Sequence, residues 1–226
     1  MSASDRSGRL TLRPHRWFAA LYDTLGGPVE RGPLGRWRTA LIRPLTGRIL
    51  DLGAGTGANF PLYGSAARIV AVEPDPFMLR RARRRQAAIR GPRIDLCQAV
   101  GEALPFRTAS FDAVVATLVL CTVTDPERTL HEARRVLRRG GRLYFLEHVR
   151  ADGLLGWVQD AIRPLWSYFG GGCVVNRRTE DTLRRSGFVL ERLTHTRMGL
   201  LPVIVGIAQP EPLASDGGSV YPGGDA

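Results

Sequence analysis

A thirteen-residue stretch, RILDLGAGTGANF at residues 48–60, combines an apolar strand, an acidic turn and a loop with three glycines. Gly53, Gly55 and Gly57 let the backbone turn tightly and approach a ligand where any Cβ would collide. Residues from Ala58 onward are expected to begin a helix. A strand, a glycine loop and a helix in this order are typical of a site for a nucleotide-type cofactor.

The glycine spacing alone does not identify the cofactor, because it also fits the dinucleotide pattern with its tolerated final alanine, Ala58. Asp51, just before the first glycine, would repel a pyrophosphate but would suit a ligand with a cationic amino group, such as S-adenosylmethionine. Glu73 ends a second apolar strand, where its carboxylate can accept both ribose hydroxyls of an adenosine. Glu73 would serve NAD equally well, so both cofactors stay open at this point.

Further motifs resemble the class I S-adenosylmethionine-dependent methyltransferases. GEALPFRTASFDAVVATLVLCTV, residues 101–123, is similar to the adenine-side loop and fourth strand of that family, and VLRRGGRLYFLEHV, residues 136–149, to its fifth strand. GTGANF, TLVLCTV, LEHV and GGGC followed by Asn176-Arg177 are similar to the methyltransferase-like seven group, animal enzymes that methylate alkyl thiols. Related short motifs also occur in quinone and phospholipid methyltransferases.

The resemblance implies an α/β fold that is Rossmann-like, with a seven-stranded, mostly parallel sheet and helices on both faces. It implies S-adenosyl-L-methionine as cofactor, held by Tyr22, Asp51, Gly53, Ala54, Gly55, Gly57, Asn59, Glu73, Pro74, Gly101, Glu102, Thr117 and Leu118. Many members of the family place an aspartate where this chain has Val100, to accept a hydrogen bond from the adenine amino group. Backbone groups near Val100 or the carboxylate of Glu102 are the expected substitutes.

The chain of 226 residues, 44% of them hydrophobic, is long enough for one sizeable core and is expected to form one domain. Residues 1–46 are predicted to form an N-terminal helical lid. The cofactor-binding core is predicted to span residues 47–209, with a substrate-cap insert near residues 150–176. Residues 210–226, rich in glycine, proline and small polar residues, are predicted to be a disordered tail.

Apolar segments alternate with helical patterns along the core, which predicts a parallel sheet covered by helices. Strands are expected near residues 48–52, 68–73, 93–98, 111–117, 141–147, 188–194 and 203–208, and helices at residues 75–89, 126–137 and 178–186. Right-handed crossovers place the carboxyl ends of the parallel strands at one edge of the sheet, where ligands bind.

The insert and the end of the fifth strand supply candidates for the acceptor site. Cys121, Trp157, Trp166 and Tyr168 are predicted to line an apolar acceptor pocket, although an amphipathic cover over the sheet edge explains the same aromatic residues. His148 is the best-placed candidate for a general base, with Glu147 beside it, and a packing or orienting role for His148 stays open. A thiol acceptor, with a pKa of about 8.5, needs no dedicated base.

All 32 basic residues are arginine, and the formal net charge is +11. The absence of lysine indicates a coding bias before it indicates a ligand, and weak association with an anionic membrane surface stays open. The basic run at residues 79–90 has no interleaved aromatic residues, so no nucleic-acid partner is expected.

The three cysteines, Cys97, Cys121 and Cys173, lie far apart in the sequence and show no metal-ligand spacing. Neither a disulfide framework nor a metal site is expected from that pattern.

The N-terminal residues lack the apolar stretch of a signal peptide, so a cytoplasmic location is expected.

These patterns favour a methyltransferase that acts on a small molecule, with S-methylation of a free thiol as the preferred reaction. The alternatives within the class are O- or C-methylation of a phenol or quinone precursor, and N-methylation of a phospholipid amine. An NAD-dependent reductase is disfavoured because the chain has no lysine to complete a tyrosine-lysine pair. A cofactor-binding protein without catalytic activity is a third class of interpretation.

Overall fold

A seven-stranded sheet organises the chain in the computed structural model, which describes residues 32–169, 172–199 and 201–212 and, within helix 153–169, the side chains only as far as residue 163. The strands are β1 Gly47–Leu52, β2 Ala67–Val72, β3 Arg93–Cys97, β4 Phe111–Thr117, β5 Leu137–His148, β6 Phe188–Met198 and β7 Leu201–Pro210. Their spatial order is β3-β2-β1-β4-β5-β7-β6. Strands β1 to β5 are parallel to one another, and β7 is antiparallel to both β5 and β6.

This strand order places a topological switch point between β1 and β4. The chain continues from β1 outward to β2 and β3, then returns to the other side of β1 as β4. Loops that leave the carboxyl ends of β1 and β4 therefore diverge and open a crevice, which is the usual ligand-binding position in sheets of this class. The predicted fold class is confirmed.

Five helices accompany the sheet in the described part of the chain: α1 Pro33–Ile42, α2 Pro76–Ala88, α3 Pro126–Val136, α4 Gly153–Phe169 and α5 Thr179–Arg185. Proline occupies the first turn of α1, α2 and α3, where its missing N–H would be unpaired in any case. The side chains of Asp75 and Asp125 cap α2 and α3 by accepting backbone N–H groups.

The prediction of a helix from Ala58 onward is wrong. Residues Phe60–Leu62 form a single 3₁₀ turn instead. Pro61 accounts for the difference, because proline is tolerated in the first turn of a helix but cannot supply the N–H groups of a longer one.

The central strands are buried on both faces, as expected for parallel strands covered by helices. In β1, Leu50 and Leu52 join the core on one face, whereas Ile49 joins the core on the other. Helix α1 packs on the second face through Leu34 and Ile42. The strands therefore read as nearly continuous apolar runs.

Only part of the predicted N-terminal lid is described, and its helix α1 packs against the core. Tyr22 and the rest of residues 1–31 lie outside the described residues, so the lid stays a prediction. The same holds for the predicted tail beyond residue 212. Within the described helices, none is long and apolar enough to cross a bilayer.

Candidate functional site

The glycine loop after β1 adopts backbone conformations that only glycine takes readily, with φ of +60° at Gly53, +57° at Gly55 and +84° at Gly57. A Cβ at Gly53 would lie 2.6 Å from Cγ2 of Val119, and one at Gly57 would lie 2.5 Å from the Phe60 ring. A Cβ at Gly55 would meet nothing within 4 Å. Gly53 and Gly57 are thus needed for packing, while Gly55 lines open space.

Glu73 ties this loop to the end of β2. Its two carboxylate oxygens accept the backbone N–H groups of Gly55 and Asp75, each at 2.9 Å. Burial raises the pKa of Glu73 to about 7, against the lowering effect of those two N–H groups. Each oxygen retains a lone pair, so the carboxylate can hold the loop and still accept ribose hydroxyls.

Asp51 lies fully buried in a polar network beneath the loop. Its Oδ1 accepts the amide of Asn59 at 2.7 Å, and that amide also lies 3.1 Å from Oγ1 of Thr117. Burial raises the pKa of Asp51 to about 7, although Asn59 and the positive charge of Arg38 lower it. The hydroxyl of Tyr63, which is also buried, neighbours Asp51 and lowers its pKa as well. A buried carboxyl group with acceptor capacity to spare suits a cationic ligand group.

Arg38 and Tyr63 belong to this network and are absent from the residues predicted from the sequence. Arg38 projects from α1, is only 3% exposed, and donates from Nη1 to Oδ1 of Asn59 at 3.2 Å. An arginine within a basic amphipathic helix carries no signal that distinguishes it from a surface residue. Its position therefore came only from the packing of α1 onto the sheet.

The loop after β4 is held from both sides. Oε1 of Glu147 accepts the N–H groups of Val119 and Leu120 at 2.8 and 2.9 Å, and Oε2 accepts that of Cys121 at 3.3 Å. From the other side, Arg177 donates to the carbonyl oxygens of Leu120 at 2.8 Å and Val123 at 2.6 Å. The loop is therefore fixed through its own donors and acceptors.

Leu118, at the start of that loop, has a φ of +59°, which is rare for a residue with a branched side chain. Its N–H donates to the carbonyl oxygen of Leu146 at 2.8 Å, so β5 holds the strained residue in place. Strain of this kind costs about 1–3 kcal/mol and persists where the surroundings determine the conformation.

Two predicted site carboxylates are engaged elsewhere. The prediction of a catalytic Glu147 does not fit its surroundings, because both of its oxygens accept backbone N–H groups and the side chain is fully buried. Oε1 of Glu102 accepts the N–H groups of Thr124 and Asp125 at 2.9 and 3.1 Å, which directs it toward the start of α3. Both N–H groups bind the same oxygen, which leaves Oε2 of Glu102 for other contacts, so a contact between Glu102 and the cofactor stays a prediction. Glu147 is a positioning residue for the loop.

Cys121, His148 and Cys173 meet next to this loop. The two Sγ atoms are 3.6 Å apart, and Sγ of Cys173 lies 3.9 Å from Nδ1 of His148. All three residues are buried, and Nε2 of His148 has no hydrogen-bond partner among the described residues. The hydrogen bond from Cys173, followed by burial, raises the pKa of Cys121 well above its usual value. The separation of these residues in the sequence hid this cluster.

The prediction that Trp157 lines the acceptor pocket is wrong in this structure. Its side chain is 71% exposed, and Leu154, Val158 and Ile162 on the same side of α4 are exposed as well. Helix α4 instead buries Gln159, which binds Ala151, Val149 and Val175 through their backbone groups. The side chains of Trp166 and Tyr168 lie outside the described residues.

The remaining predicted cofactor residues gather at one edge of the sheet. The loops that follow β1, β2, β3 and β4 carry Asp51, Gly53, Ala54, Gly55, Gly57, Asn59, Glu73, Pro74, Gly101, Thr117 and Leu118 at or just beyond the strand ends. The predicted convergence of the carboxyl ends of the strands is therefore confirmed.

Comparison with known proteins identifies the family. A model of the methyltransferase domain matches residues 50–145. Phosphatidylethanolamine N-methyltransferase of Cereibacter sphaeroides is 34% identical over 183 residues, which cover 79% of this chain and 81% of that protein. The chain belongs to the class I S-adenosylmethionine-dependent methyltransferases. The human thiol S-methyltransferase TMT1B is 38% identical over 157 residues, 65% of this chain and 64% of that enzyme, so the chain spans less than two thirds of this relative.

Solved structures share the fold of this methyltransferase. One from Thermotoga maritima, described as a possible histamine N-methyltransferase, has a TM-score of 0.62 and 24% identity over 85% of this chain and 99% of that one. The cyclase SpnF has a TM-score of 0.63 and 19% identity over 89% of this chain and 98% of its own. Because a cyclase shares the fold, the fold alone does not specify the reaction.

The site fits the cofactor of the family, S-adenosyl-L-methionine. Gly55 lines open space, Glu73 offers acceptors for ribose hydroxyls, and Asp51 offers a buried carboxyl group to a cationic amino group. When bound, this cofactor supplies an electrophilic methyl group on a sulfonium ion.

Proposed function

We propose that the chain is an S-adenosylmethionine-dependent methyltransferase that methylates the free thiol of a small molecule. The observation that carries the thiol assignment is the 38% identity with a thiol S-methyltransferase, TMT1B, over 157 residues. That similarity is the reason to place a thiol ahead of the other acceptor classes.

The side chains at the carboxyl ends of the parallel strands are compatible with a thiol acceptor. Glu147 binds backbone N–H groups, so His148 is the remaining candidate for a general base, and a thiol acceptor does not require one. A thiol needs little help, because a few per cent of it is already thiolate at neutral pH. A phenol or a carbon acid depends far more on a base, whose loss typically costs about 10²- to 10⁴-fold in rate.

The residues of the chain would act mainly by positioning. Asp51 and Glu73 orient the two ends of the cofactor, and Glu147 with Arg177 fixes the loop that separates the cofactor site from the acceptor side. Holding two reacting groups in line can supply about 7–11 kcal/mol of the barrier. Buried surroundings exclude water from the reacting groups.

A direct test is incubation with S-adenosylmethionine and a panel of alkyl thiols, phenols, quinols and amines. Formation of S-adenosylhomocysteine, followed by mass spectrometry, is expected only with thiols. Turnover of phenols or quinols without any thiol turnover would replace the thiol assignment and leave the family assignment intact.

A phospholipid amine is the second candidate acceptor, favoured by the exposed apolar side of α4. Leu154, Trp157, Val158 and Ile162 lie in one stripe on this helix, and the net charge of +11 would attract an anionic lipid surface. A bacterial relative is named for phosphatidylethanolamine methylation. A lipid surface is the occupant that this combination of apolar stripe and positive charge suits.

Vesicle sedimentation tests this second candidate. Phosphatidylethanolamine vesicles with an anionic lipid should retain the chain and yield methylated lipid, while Trp157→Ser should release it. Val189→Ser, which removes another exposed apolar side chain on β6, serves as the control and should still bind. Equal retention of both variants, or the absence of methylated lipid, would exclude this candidate.

A further inference from the structure

The cluster of Cys121, His148 and Cys173 has the ligand types and the spacing of a metal site. One ligand atom from each residue lies within 4.8 Å of the others, and the two sulfurs are 3.6 Å apart. A tetrahedral Zn²⁺ with bonds of about 2.3 Å to sulfur and about 2.0 Å to nitrogen separates two sulfurs by about 3.8 Å and a sulfur from a nitrogen by about 3.5 Å. The distance between the two sulfurs and the 3.9 Å between Sγ of Cys173 and Nδ1 of His148 are close to these values. The ligand atoms of Cys121 and His148, which lie within 4.8 Å, would approach each other on binding.

The backbone around the cluster is already fixed. The loop that carries Cys121 is held by Glu147 and Arg177, as described above. The carbonyl oxygen of Cys121 also accepts the N–H of Val174 at 2.8 Å, which links the segments of both cysteines. His148 ends β5, which is paired on both sides. Ligands on a rigid, hydrogen-bonded backbone lose little freedom when they bind a metal.

We propose that Cys121, His148 and Cys173 form a Zn²⁺ site with three protein ligands and that its fourth position binds the thiolate of the acceptor. Two thiolates and an imidazole suit Zn²⁺ better than Mg²⁺ or Ca²⁺, which prefer oxygen ligands. Three protein ligands with one exchangeable position are typical of zinc sites that bind substrate.

The second part of the proposal rests on the proposed thiol methyltransferase function. When the sulfur of the acceptor binds Zn²⁺, the S–H bond breaks and its proton passes to solvent, because a coordinating thiol is deprotonated. No electrons are transferred. The site would then deliver a thiolate at the sheet edge, two residues beyond Val119, whose side chain packs against Gly53 of the cofactor loop. This arrangement explains how a thiol could be deprotonated although Glu147 and Glu102 are engaged with backbone groups.

Metal content is the first test, made on the full chain purified from zinc-supplemented medium. Mass spectrometry should find about one Zn²⁺ per chain, the stoichiometry of a single three-ligand site. Cys121→Ser, Cys173→Ser and His148→Ala should each lower Zn²⁺ affinity at least about 100-fold, the upper end of what even a residue behind a ligand contributes. Cys97→Ser is the matched control and should keep the metal, since Cys97 lies on β3 away from the cluster.

A spectroscopic test on the unmodified chain avoids reliance on variants that fail to fold. Co²⁺ added to the zinc-depleted protein should give a thiolate-to-cobalt charge-transfer band and the intense visible bands of tetrahedral cobalt. Addition of 2-mercaptoethanol should shift these bands, while its alcohol analogue ethylene glycol should not. Absence of the cobalt bands, or a Cys121–Cys173 disulfide in place of bound metal, overturns the metal site.

The experiments distinguish a wrong zinc-site proposal from a wrong thiol methyltransferase proposal. Methylation of thiols at full rate by metal-free protein overturns the role of the metal and leaves the thiol function in place. A cobalt spectrum that responds to thiols, combined with no thiol turnover, retains the site and overturns the function. A cobalt spectrum that thiols leave unchanged overturns the fourth position as the acceptor site.

Discussion

The glycines of the loop after β1 differ in why each lacks a side chain: some are needed for packing and one for ligand binding. Gly53 and Gly57 have no room for a side chain, whereas Gly55 faces open space although its φ is also positive. The cost of a side chain at Gly55 to the unbound protein is therefore backbone strain alone, about 1–2 kcal/mol. In addition, a side chain at Gly55 would occupy the space of the cofactor and so weaken cofactor binding.

At this scale we predict that Gly55→Leu abolishes binding of S-adenosylmethionine while the chain stays folded. Isothermal calorimetry measures the binding, and urea unfolding measures the stability. Gly140→Leu is the matched control, because Gly140 also has a positive φ, +77°, and a Cβ there would meet nothing within 4 Å, but it lies near the amino end of β5. Both variants should lose similar stability, and only Gly55→Leu should lose binding. Normal cofactor binding by Gly55→Leu would show that the ligand does not occupy this space.

Contacts between elements govern the acceptor side of the site. Strand β5 contributes Glu147, which binds three consecutive N–H groups of the loop after β4, and the segment after α4 contributes Arg177. Together these two side chains engage donors and acceptors along the whole loop. Its conformation, including the strained Leu118, thus depends on two distant elements.

We predict that Glu147→Gln loosens this loop. Glutamine replaces one acceptor oxygen with an NH₂ group that faces backbone donors, and each buried donor left unpaired costs about 1–3 kcal/mol. Hydrogen exchange should show faster exchange at Val119, Leu120 and Cys121, together with a lower free energy of unfolding. Glu132→Gln is the control, since Glu132 binds the N–H of Leu104 and a partly exposed Arg135 and makes no bond to Val119, Leu120 or Cys121. Unchanged protection of the three amides in Glu147→Gln would contradict the positioning role.

The whole molecule carries buried carboxyl groups whose titration affects its stability. Burial raises the pKa of both Asp51 and Glu73 to about 7, from ordinary values of 3.8 and 4.5. Between the ordinary and the raised value, the folded chain retains a proton that the unfolded chain has lost. A rise in pH within that window therefore favours unfolding, by about 1.4 kcal/mol per pH unit for each group.

We predict that the melting temperature of the unbound protein falls as the pH rises from about 5 to about 7, and that Asp51→Asn reduces this fall. Binding of S-adenosylmethionine should strengthen over the same interval, because the cofactor's cationic amino group binds the ionised form of Asp51. Calorimetry in buffers of different ionisation enthalpy should detect the release of protons on binding. A melting temperature that rises steadily from pH 5 to pH 7 would be inconsistent with these raised pKa values.

The positions of the strands along the chain could be predicted because each strand is a local apolar run bounded by turn residues. β1, β2 and β4 lie within one or two residues of their predicted positions. β6 extends to Met198, beyond the predicted end at residue 194. Its last residues are held in the sheet by antiparallel pairing with β7, and their sequence shows no apolar alternation that would predict a strand. Pairing between strands is a tertiary interaction that a single segment does not encode.

The sequence by itself determined the cofactor half of the site, since Asp51, the glycines and Glu73 follow their strands directly and local chain geometry places them at one edge. The tertiary structure alone decided the rest. Packing of α1 onto the sheet brought Arg38 to Asn59, and packing of α4 left Trp157 at the surface. The loop after β4 folds onto Glu147. The same packing brought Cys121, His148 and Cys173 together. The physical reason is that these contacts close long stretches of chain, and their partners depend on how helices and loops pack over the sheet.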